Sequence, residues 1–461
     1  MLGFPILIEV MSPLSNQIIQ ALASPKSGIF EDLKAKISNR SATIGVVGLG
    51  YVGLPFAVQA RRSGFPVCGF DLSEEKVQKV LNCDSYIGDV SNEELTDCVE
   101  HGNFDATTDF SLLADCDIIV VAVPTPLTKN LVPDLRAIES ATRSIANHLR
   151  PGQLVTLEST TYPGTTEEVM LPILAESGLA VEQDYFLAHS PERVDPGNHQ
   201  FKTKNTTKIV GGVGPKSSEI ASAFYSYAIE KIVTVSSARA AELVKVYENI
   251  FRSVNVALVN ELAMLCDRMN LNVWEVLDAA FTKPFGIMPF YPGPGVGGHC
   301  IPLDPHYLEF KAREYNFSTR FVQLAGEINR GMPRFVVDKA IRILGQKGIA
   351  LPKAKIMVLG VAYKKDIDDY RESPAMEVLR LLLDLDASVI YHDPHVPAID
   401  DRGITMLGSP LTPNVVSDCD LVIIATQHTG VDYAMVRKFA PLVLDTRNAM
   451  GDMPADNIIP L

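Results

Sequence analysis

The sequence predicts an α/β protein with two doubly wound (Rossmann-like) domains that are joined by a central region of long helices. Near residue 48, a short apolar strand is followed at once by a glycine-rich loop and a helix. A pattern of the same kind restarts at Lys355. Between the two, residues from Ser237 to about Asn270 repeat apolar positions at helical spacing. Strands that alternate with helices in this way indicate parallel sheets.

The chain divides into four predicted parts. We expect an N-terminal extension at 1–40, a dinucleotide-binding domain at 41–236, a central helical region at 237–345 and a second doubly wound domain at 346–461. Within the extension, Ile29 to Ile37 has apolar residues at helical spacing. The stretch from Gly345 to Pro352 contains the clearest linker signals, two glycines and a closing proline. The length of 461 residues is ordinary for two or three domains.

Composition excludes several classes of partner. The formal net charge is −14, whereas nucleic acids and anionic membranes require a basic face. The seven cysteines are scattered and form no C-x-x-C pair, which indicates a reducing compartment and no structural metal site. The first residues carry no basic leader, and no apolar run approaches the roughly 18 residues that span a bilayer. We therefore expect a cytoplasmic protein without a metal, nucleic-acid or membrane partner.

The first glycine-rich loop has the form of a dinucleotide-binding fingerprint. A strand at 43–47 leads into Gly48-Leu-Gly50-Tyr-Val-Gly53 and then a helix. In this fingerprint the first glycine makes the turn, the second lets the pyrophosphate approach and the third lets the helix pack on the strand. A second strand ends in Asp71, whose carboxylate suits the adenosine ribose hydroxyls and repels a 2′-phosphate. NAD is therefore the expected cofactor, although a glycine turn alone can bind nothing.

Polar residues follow three further predicted strands. The apolar run from Asp117 ends in Val-Pro-Thr-Pro, which places Thr125 near the cofactor. The strands at 153–161 and 185–193 end near Thr160, Glu192 and Arg193. Parallel sheets bind ligands at the carboxyl ends of their strands, so these residues are site candidates. Turn formation or helix capping is the alternative explanation for each.

The long predicted helix carries three polar residues on one face. Glu242, Lys245 and Asn249 are spaced three and four apart. A solvated polar face would explain the spacing equally well. The amide of Asn249, however, points along an otherwise apolar surface and requires a partner, and a ligand would supply one.

A loop rich in glycine and proline, Tyr291 to Pro305, carries the candidate nucleophile. Cys300 lies within it and Asp304 follows four residues later. A buried loop cysteine is the commoner explanation of such a thiol. Next to a hydride acceptor, however, a nucleophilic cysteine indicates oxidation of an aldehyde through a thioester.

The C-terminal part repeats the order of the first sheet, with strands expected at 355–362, 389–393 and 419–426. Its first loop, Val361 to Asp366, has lysines where the second and third glycines would stand. We therefore expect it to bind a phosphorylated ligand other than a dinucleotide. Arg371 and Arg447 follow predicted strand ends, where a guanidinium binds phosphate well, although a surface ion pair is as good an explanation of either.

Eight motifs, in order, resemble the family of UDP-glucose dehydrogenase and related nucleotide-sugar 6-dehydrogenases. They are G-L-G-Y-V-G at Gly48, V-P-T-P at Val123, S-T-T-Y-P-G-T at Ser159, S-P-E-R at Ser190, A-E-L-V-K-x-x-x-N at Ala241, G-P-G-V-G-G-H-C-I-P-x-D at Gly293, K-K-D-x-x-D-x-R-E-S at Lys364 and D-T-R-N at Asp445. The resemblance implies an N-terminal NAD domain, a C-terminal UDP domain and a dimer contact in the central region. It also implies two hydride transfers to NAD and hydrolysis of a thioester, giving a uronic acid for polysaccharide synthesis.

The resemblance assigns roles to individual residues. Cys300 is the expected nucleophile, Lys245 and Asn249 surround the reacting oxygen, Asp304 and Thr160 hold a water, and Glu192 lies near the thioester. The expected cofactor contacts are Gly48, Gly50, Tyr51, Val52, Gly53, Asp71, Lys76, Thr125, Thr160 and Arg371. The expected substrate contacts are Glu192, Arg193, Lys245, Asn249, Tyr291, Gly295, Gly297, His299, Lys364 and Arg447.

Two residues depart from the pattern of the family. Glucose-type enzymes carry a second Glu four residues after the Pro-Glu pair, where this chain has Pro196. Many relatives also supply an Arg from the neighbouring subunit, and the corresponding region here contains Lys283. Lys283 is the candidate substitute for that Arg, but its ammonium is a point charge and lacks the guanidinium fork.

The loop around Cys300 bears on the choice of sugar. His299 and Leu303 replace the small hydroxyl and the cation of glucose-type relatives, and this pattern resembles the branch that oxidises N-acetylated hexosamines. The run from Lys283 to Pro292 is similar to enzymes that act on UDP-N-acetylglucosamine, with UDP-N-acetylmannosamine and UDP-glucose as the alternatives. A two-electron hydroxyacid dehydrogenase of the phosphogluconate type and a catalytically silent NAD or UDP-sugar sensor are rival interpretations. Neither of them needs Cys300.

Overall fold

The computed structural model describes residues 28–100, 102–128, 130–194, 200–298, 301–451, 453 and 455–461. The chain separates into two compact units, Met1–Val246 and Tyr247–Leu461. The division falls within a single long helix, Ala238–Met269. The boundaries that we expect near residues 40, 236 and 345 remain predictions.

Strands and helices alternate through the first unit. Its strands are β1 (Ile44–Val47), β2 (Val67–Phe70), β3 (Phe104–Thr107), β4 (Ile118–Val121), β5 (Leu154–Leu157), β6 (Phe186–His189), β7 (Lys208–Gly212) and β8 (Ile232–Thr234). Its helices are α1 (Ile29–Ser38), α2 (Gly53–Arg62), α3 (Glu74–Leu81), α4 (Asn92–Glu100), α5 (Arg136–His148), α6 (Leu171–Ala175), α7 (Pro215–Ala228) and the start of α8 (Ala238–Met269).

The eight strands of the first unit form one sheet in the order β3-β2-β1-β4-β5-β6-β7-β8. Every adjacent pair is parallel except β6 and β7. The residues of β1, β4 and β5 are buried at every position, because helices cover both faces of the sheet. Helix α1 packs into the same core through Leu33 and Ile37, so the helix expected near residues 29–37 is present.

The second unit combines long helices with a smaller sheet. Its helices are the remainder of α8, α9 (Val273–Phe281), α10 (Asp304–Glu314), α11 (Arg320–Gln346), α12 (Pro374–Asp384), α13 (Pro413–Ser417) and α14 (Tyr433–Phe439). Its strands are β9 (Lys355–Leu359), β10 (Ser388–His392), β11 (Ala398–Asp401), β12 (Ile404–Leu407), β13 (Leu421–Ile424), β14 (Val443–Asp445) and β15 (Ile458–Pro460).

Five strands of the second unit form a fully parallel sheet in the order β10-β9-β13-β14-β15, and β11 and β12 form a separate antiparallel hairpin. One continuous hydrophobic core joins the long helices to this sheet. Ala263 of α8 and Val336 of α11 belong to the same cluster as Ile356 of β9. The expected α/β class, with two doubly wound sheets and a region of long helices, is confirmed. None of the helices in the described ranges has a stretch apolar and long enough to cross a bilayer.

Candidate active site

The loop between β1 and α2 has the geometry that a dinucleotide requires. Gly48 has φ +95°, and a Cβ there would lie 2.4 Å from the carbonyl oxygen of Ala122. A Cβ on Gly53 would lie 1.8 Å from the carbonyl oxygen of Gly48, so these two positions admit only glycine. A Cβ on Gly50 would meet nothing within 4 Å. The middle glycine thus faces open space beside the start of α2, where a pyrophosphate would bind.

Asp71 follows β2 and lies against the same loop. Its carboxylate accepts hydrogen bonds from the backbone N–H groups of Leu49 and Ser73, both at 2.9 Å. The ammonium group of Lys76 lies 3.3 Å from Asp71 Oδ2. A carboxylate has about four acceptor positions, and these three donors occupy three of them, so one position, on Oδ1, remains for a ribose hydroxyl. The described residues therefore fit NAD at this loop, with Tyr51 exposed beside it.

The carboxyl ends of β4 and β5 are tied together. Thr125 Oγ1 donates to the carbonyl oxygen of Thr160 at 2.7 Å. Ser159 Oγ donates to the carbonyl oxygen of Val123 at 2.7 Å and accepts from the N–H group of Val123 at 3.0 Å. These bonds bring Thr125 and Thr160 together at the edge of the sheet.

Glu192 belongs to a buried group of charges, which we call the Lys208 cluster: Glu158, Glu192, Lys208 and Tyr225. Lys208 Nζ lies 3.0 Å from Glu158 Oε2 and 3.2 Å from Glu192 Oε2. The hydroxyl of Tyr225 donates to Glu158 Oε1 at 2.7 Å. Burial raises the pKa of Glu158 to about 7. Burial also acts on Glu192, but the charge of Lys208 and two backbone N–H groups hold its pKa below the ordinary value.

Arg193, a predicted substrate contact, is half-buried next to this cluster. Its guanidinium donates to the carbonyl oxygen of Thr207. His189, at the end of β6, is fully buried, and neither ring nitrogen has a hydrogen-bond partner in the described part of the chain. Burial lowers the pKa of His189 to about 3, so its ring is neutral.

Two of the three polar residues expected to share a face of α8 have separate environments in the first unit. Glu242 is buried and accepts from the N–H groups of Gly164 and Thr166 and from the hydroxyl of Thr166. The Glu242 carboxylate therefore fixes the backbone at Gly164 and Thr166, in the segment that follows Thr160. Lys245 is only 6% exposed, and among the described residues no hydrogen bond or ion pair engages its ammonium group. A buried cation of this kind is suited to an anionic or developing-anionic ligand.

Asn249 and Asp304 make direct contact in the second unit. The Asn249 amide nitrogen donates to Asp304 Oδ2, and its amide oxygen accepts from the guanidinium of Arg252. Asn249 is fully buried and Asp304 is 2% exposed. Asp304 is the first residue of α10, so its carboxylate lies at a helix N-terminus. The structure thus brings together two of the predicted catalytic residues and adds Arg252.

The glycine-rich loop is anchored through its backbone. Asn260 Oδ1 accepts from the N–H group of Gly293 at 3.0 Å, and the Asn260 amide donates to Asn329 Oδ1 at 2.9 Å. A Cβ on Gly297 would lie 2.7 Å from Cβ of Tyr363, and Gly295 has φ +133°. Glycine is therefore needed here for close packing and for backbone conformation. His299 and Cys300 lie outside the described residues.

A cavity of about 560 Å³ lies beside this loop in the second unit. The indole ring of Trp274 stacks on Tyr291 with ring centroids 5.7 Å apart, and the Tyr291 hydroxyl donates to Asp278 at 2.8 Å. Burial lowers the pKa of Arg447 to about 10, which leaves the guanidinium charged at neutral pH. The cavity is lined by Trp274, Asp278, Tyr291, Pro292, Tyr363, Lys364, Lys365, Thr426, Gln427, Arg447 and Asn448. Aromatic rings together with cations suit a nucleotide diphosphate.

The lysine loop of the second unit is clamped by a carboxylate and a histidine. Asp393 Oδ2 accepts from the N–H groups of Val361 and Ala362, at 2.8 and 3.0 Å, and lies 3.0 Å from His428 Nε2. His428 Nδ1 accepts from the N–H group of Asp366 at 3.1 Å. His395 lies near His428 and Asp366, a grouping that resembles a metal site. Both ring nitrogens of His428 already form hydrogen bonds, to Asp393 and to the Asp366 N–H group, so these three residues fix the conformation of the lysine loop.

Arg371, a predicted cofactor contact, forms an ion pair with Asp369 at 2.7 Å.

The sequence matches three consecutive domains of one protein family. Residues 42–229 match the NAD binding domain of the UDP-glucose/GDP-mannose dehydrogenase family, residues 239–331 its central domain and residues 357–452 its UDP binding domain. Together the three matches cover more than half of the chain.

This chain is a UDP-glucose/GDP-mannose dehydrogenase family protein. Among relatives in this family, a UDP-N-acetyl-D-glucosamine 6-dehydrogenase of Pseudomonas aeruginosa is 35% identical, over 80% of this chain and 87% of the relative. An NDP-N-acetyl-D-galactosaminuronic acid dehydrogenase of Ralstonia nicotianae is 35% identical, over 88% and 95%. The solved structure of a UDP-N-acetyl-D-mannosamine dehydrogenase from Pyrococcus horikoshii has a TM-score of 0.83 and 32% identity, over 91% of this chain and 98% of the other.

Membership of the family confirms several predictions. The chain is an NAD-dependent nucleotide-sugar dehydrogenase, and NAD is its cofactor. The UDP binding domain confirms a UDP-sugar as the class of substrate. Sequence reasoning missed three polar residues beside the family's motifs, Arg252, Asn260 and Lys208. Each contacts a motif residue that is remote in the chain or on another turn of a helix, so no local pattern indicates it.

Proposed function

We propose that this chain oxidises the C6 hydroxyl of a UDP-N-acetylhexosamine, with UDP-N-acetylglucosamine as the preferred sugar, to the uronic acid. The oxidation removes four electrons, passes through a thioester on Cys300 and supplies a precursor for polysaccharide synthesis. The buried contact of Asn249 with Asp304 carries the proposal, because Asp304 stands four residues after Cys300. That contact links the helix that carries the oxyanion donor to the helix that follows the nucleophile.

Each proposed role follows from the chemistry of the side chain. Bound NAD would supply the hydride acceptor for each of two oxidations, with a second NAD replacing the first NADH. Lys245 and the free N–H of Asn249 stabilise the alkoxide and later the oxyanion of the thiohemiacetal, because both are buried donors. Asp304 and Thr160 hold the water that attacks the thioester, and Glu192 takes the proton from it. Cys300 leaves as a thiolate when the C–S bond breaks.

Binding of the two nucleotides is proposed for the remaining predicted residues. Gly48, Gly50, Tyr51, Val52 and Gly53 bind the NAD pyrophosphate, and Asp71 binds the ribose. Lys76, Thr125 and Arg371 complete the cofactor site. In the second unit, Tyr291, Lys364 and Arg447 bind UDP in the 560 Å³ cavity. Gly295, Gly297, His299 and Arg193 are assigned to binding of the sugar.

The names of the relatives support an N-acetylated sugar, since UDP-N-acetylglucosamine, UDP-N-acetylmannosamine and N-acetylgalactosaminuronic acid enzymes all occur among them. The gluco configuration is our choice because the run from Lys283 to Pro292 is similar to enzymes of that type. In this run Phe285 and Ile287 are exposed in the second unit and offer apolar surface to an acetamido methyl group. UDP-N-acetylgalactosamine and UDP-N-acetylmannosamine are the next candidates, and UDP-glucose is the last.

We also propose that the chain forms a homodimer through α8. Three large apolar side chains of this helix, Phe251, Leu258 and Leu265, recur at seven-residue spacing and are 37, 62 and 52% exposed. That spacing places them along one stripe, which a second copy of the same helix would cover. The free cysteines support a reducing, cytoplasmic location.

The test is the amount of NADH formed when each candidate sugar is limiting. Two NADH for each UDP-N-acetylglucosamine consumed supports the proposal, whereas one NADH would indicate a two-electron dehydrogenase. No NADH with any UDP-sugar would favour the silent sensor. Comparison of kcat/KM for the N-acetylated gluco, galacto and manno sugars and for UDP-glucose then decides the substrate. A higher value for UDP-glucose than for all three N-acetylated sugars would refute the proposed sugar class.

A further inference from the structure

The Lys208 cluster contains two charged residues that no motif of the family indicates in this chain. Lys208 lies at the first position of β7, and Glu158 directly follows β5. The side chain of Lys208 is 4% exposed and that of Glu158 is fully buried. Burial of an ammonium and of a carboxylate is costly unless they are paired, so their persistence here requires an explanation. Glu192 is the third charged member and the only one with a proposed chemical role.

Both oxygens of Glu192 are held in place. Oε1 accepts from the N–H groups of Arg193 and Val194, each at 2.7 Å. Oε2 lies 3.2 Å from Lys208 Nζ. The carboxylate is therefore fixed in one orientation, with its backbone partners on one side and the ammonium on the other.

The ammonium of Lys208 is itself fixed without the help of Glu192. It lies 5.3 Å from the ring centroid of Phe56 and 5.1 Å from that of Tyr225, on the ring faces where a cation is attracted. Glu158 Oε2 lies 3.0 Å from the same ammonium. Glu158 is in turn held by the hydroxyl of Tyr225, which lies 3.2 Å from Thr156 Oγ1. Strands β5 and β7 and helix α7 thus build a rigid support for the Glu192 carboxylate.

We propose that Lys208 and Glu158 are positioning residues that set the orientation and the basicity of Glu192 in thioester hydrolysis. The inference rests on the proposed function, in which Glu192 takes one proton from water as the C–O bond forms and Cys300 leaves as a thiolate. That step involves no change of oxidation state, and the proton on Glu192 afterwards returns to the thiolate or to solvent.

The charges around Glu192 determine how the support responds to pH. In the described residues the groups that face it are Lys208, Glu158, the neutral His189, the phenol of Tyr225 and the guanidinium of Arg193. Below about pH 7, Glu158 is protonated, so Glu192 is the only ionised carboxylate beside the Lys208 ammonium. Above that pH, both carboxylates are ionised and both pair with Lys208. Glu192 is then a stronger base, because a second negative charge opposes its ionisation.

Two variants test the inference through the decay of the acyl-enzyme, followed by acid quench and intact-protein mass spectrometry from pH 5.5 to 8.5. In Lys208→Met, loss of the nearby cation raises the pKa of Glu192, so decay at pH 5.5 becomes about tenfold slower relative to decay at pH 8.5 than in the unmodified enzyme. In Glu158→Gln, decay matches the unmodified enzyme at pH 5.5 but is about threefold slower at pH 8.5, because a general base loses rate as its pKa falls. Lys231→Met removes an exposed lysine of the same unit and leaves the profile unchanged.

The outcomes separate this inference from the proposed function. Profiles of Lys208→Met and Glu158→Gln that run parallel to that of the unmodified enzyme would overturn the inference, since a purely structural loss lowers the rate equally at every pH. If Lys208→Met does not fold, the pH dependence of Glu158→Gln alone decides. An acyl-enzyme that never forms on Cys300, or one that decays normally in Glu192→Gln, would instead refute the proposed function.

Discussion

Asn249 has only one hydrogen-bond donor left for a ligand. Its amide oxygen accepts from Arg252, and one of its two N–H groups donates to Asp304. These two bonds also fix which end of the amide is oxygen, because a flipped amide would present a donor to a donor and an acceptor to a carboxylate. The second N–H therefore has a defined direction, and that is what stabilisation of an oxyanion requires.

We predict that Arg252→Ala lowers kcat about tenfold or more while KM for the UDP-sugar changes little, because the amide of Asn249 loses the partner that orients it. Steady-state kinetics with NAD saturating measure both constants. Arg252→Lys should restore part of kcat, since an ammonium still donates. A variant whose loss falls entirely on KM would contradict this role for Arg252.

The nucleophile gives a second prediction at this scale. Cys300→Ser should abolish uronate formation and leave binding of the UDP-sugar intact, because only the covalent step requires a thiolate. Product analysis together with calorimetric titration of UDP-N-acetylglucosamine tests both halves. Cys83→Ser is the matched control, since Cys83 is partly exposed in the first unit and has no proposed role. Normal turnover by Cys300→Ser would eliminate the thioester.

At the scale of single elements, the loop from β1 to α2 separates two uses of glycine. Gly53 is needed because a side chain would overlap the backbone of Gly48, whereas Gly50 faces open space. Fold and cofactor therefore place different demands on two residues that are only three positions apart.

We predict that Gly53→Ala destabilises the first unit, since its Cβ would lie 1.8 Å from a carbonyl oxygen and the start of α2 must move. Gly50→Ala should leave the melting temperature within a few degrees of the unmodified protein and weaken NAD binding about tenfold or more, because the methyl group occupies the approach of the pyrophosphate. Thermal unfolding and NAD titration on both variants make the comparison. Equal losses of stability in the two variants would contradict it.

The elements also show what local sequence can predict. The apolar runs that begin at Ile44 and Ile118 indicate central strands, because a strand covered on both faces has no polar alternation. The spacing also predicts that Glu242 and Lys245 share a helix face, but it does not predict what the two side chains contact. Glu242 caps a segment 76 residues away, at Thr166. Lys208 on β7 pairs with Glu158, which follows β5, although β6 lies between these strands in the sheet. Only the order of the strands in the sheet brings such residues together.

On the scale of the whole molecule, each unit contains its own doubly wound sheet and uses an aspartate after its second strand in a related way. Asp71 accepts from the N–H group of Leu49, and Asp393 accepts from those of Val361 and Ala362. Asp393 is also bonded to His428, and His428 together with the backbone groups holds its pKa near 2 in spite of burial. One aspartate remains available to a ribose, while the other is committed to its own loop. The two sheets thus suit different nucleotides.

The apolar stripe on α8 gives the whole-molecule prediction. Leu258→Asp should convert the dimer to a monomer, because a second copy would have to bury the new carboxylate without a partner. Size-exclusion chromatography with light scattering measures the mass directly. Leu407→Asp is the matched control, since Leu407 is 80% exposed on a hairpin of the second unit. A monomeric parent protein, or an unchanged dimer in Leu258→Asp, would refute the proposed contact.

The same stripe links the stability of the enzyme to its abundance. If a second copy covers Phe251, Leu258 and Leu265, the folded state is favoured by mass action, so each dilution lowers the melting temperature. A cell that makes little of this enzyme would then hold a larger unfolded fraction of it, and a catalytically inactive subunit would still stabilise an active one. Partial loss of expression would therefore reduce activity more than in proportion to the number of chains made.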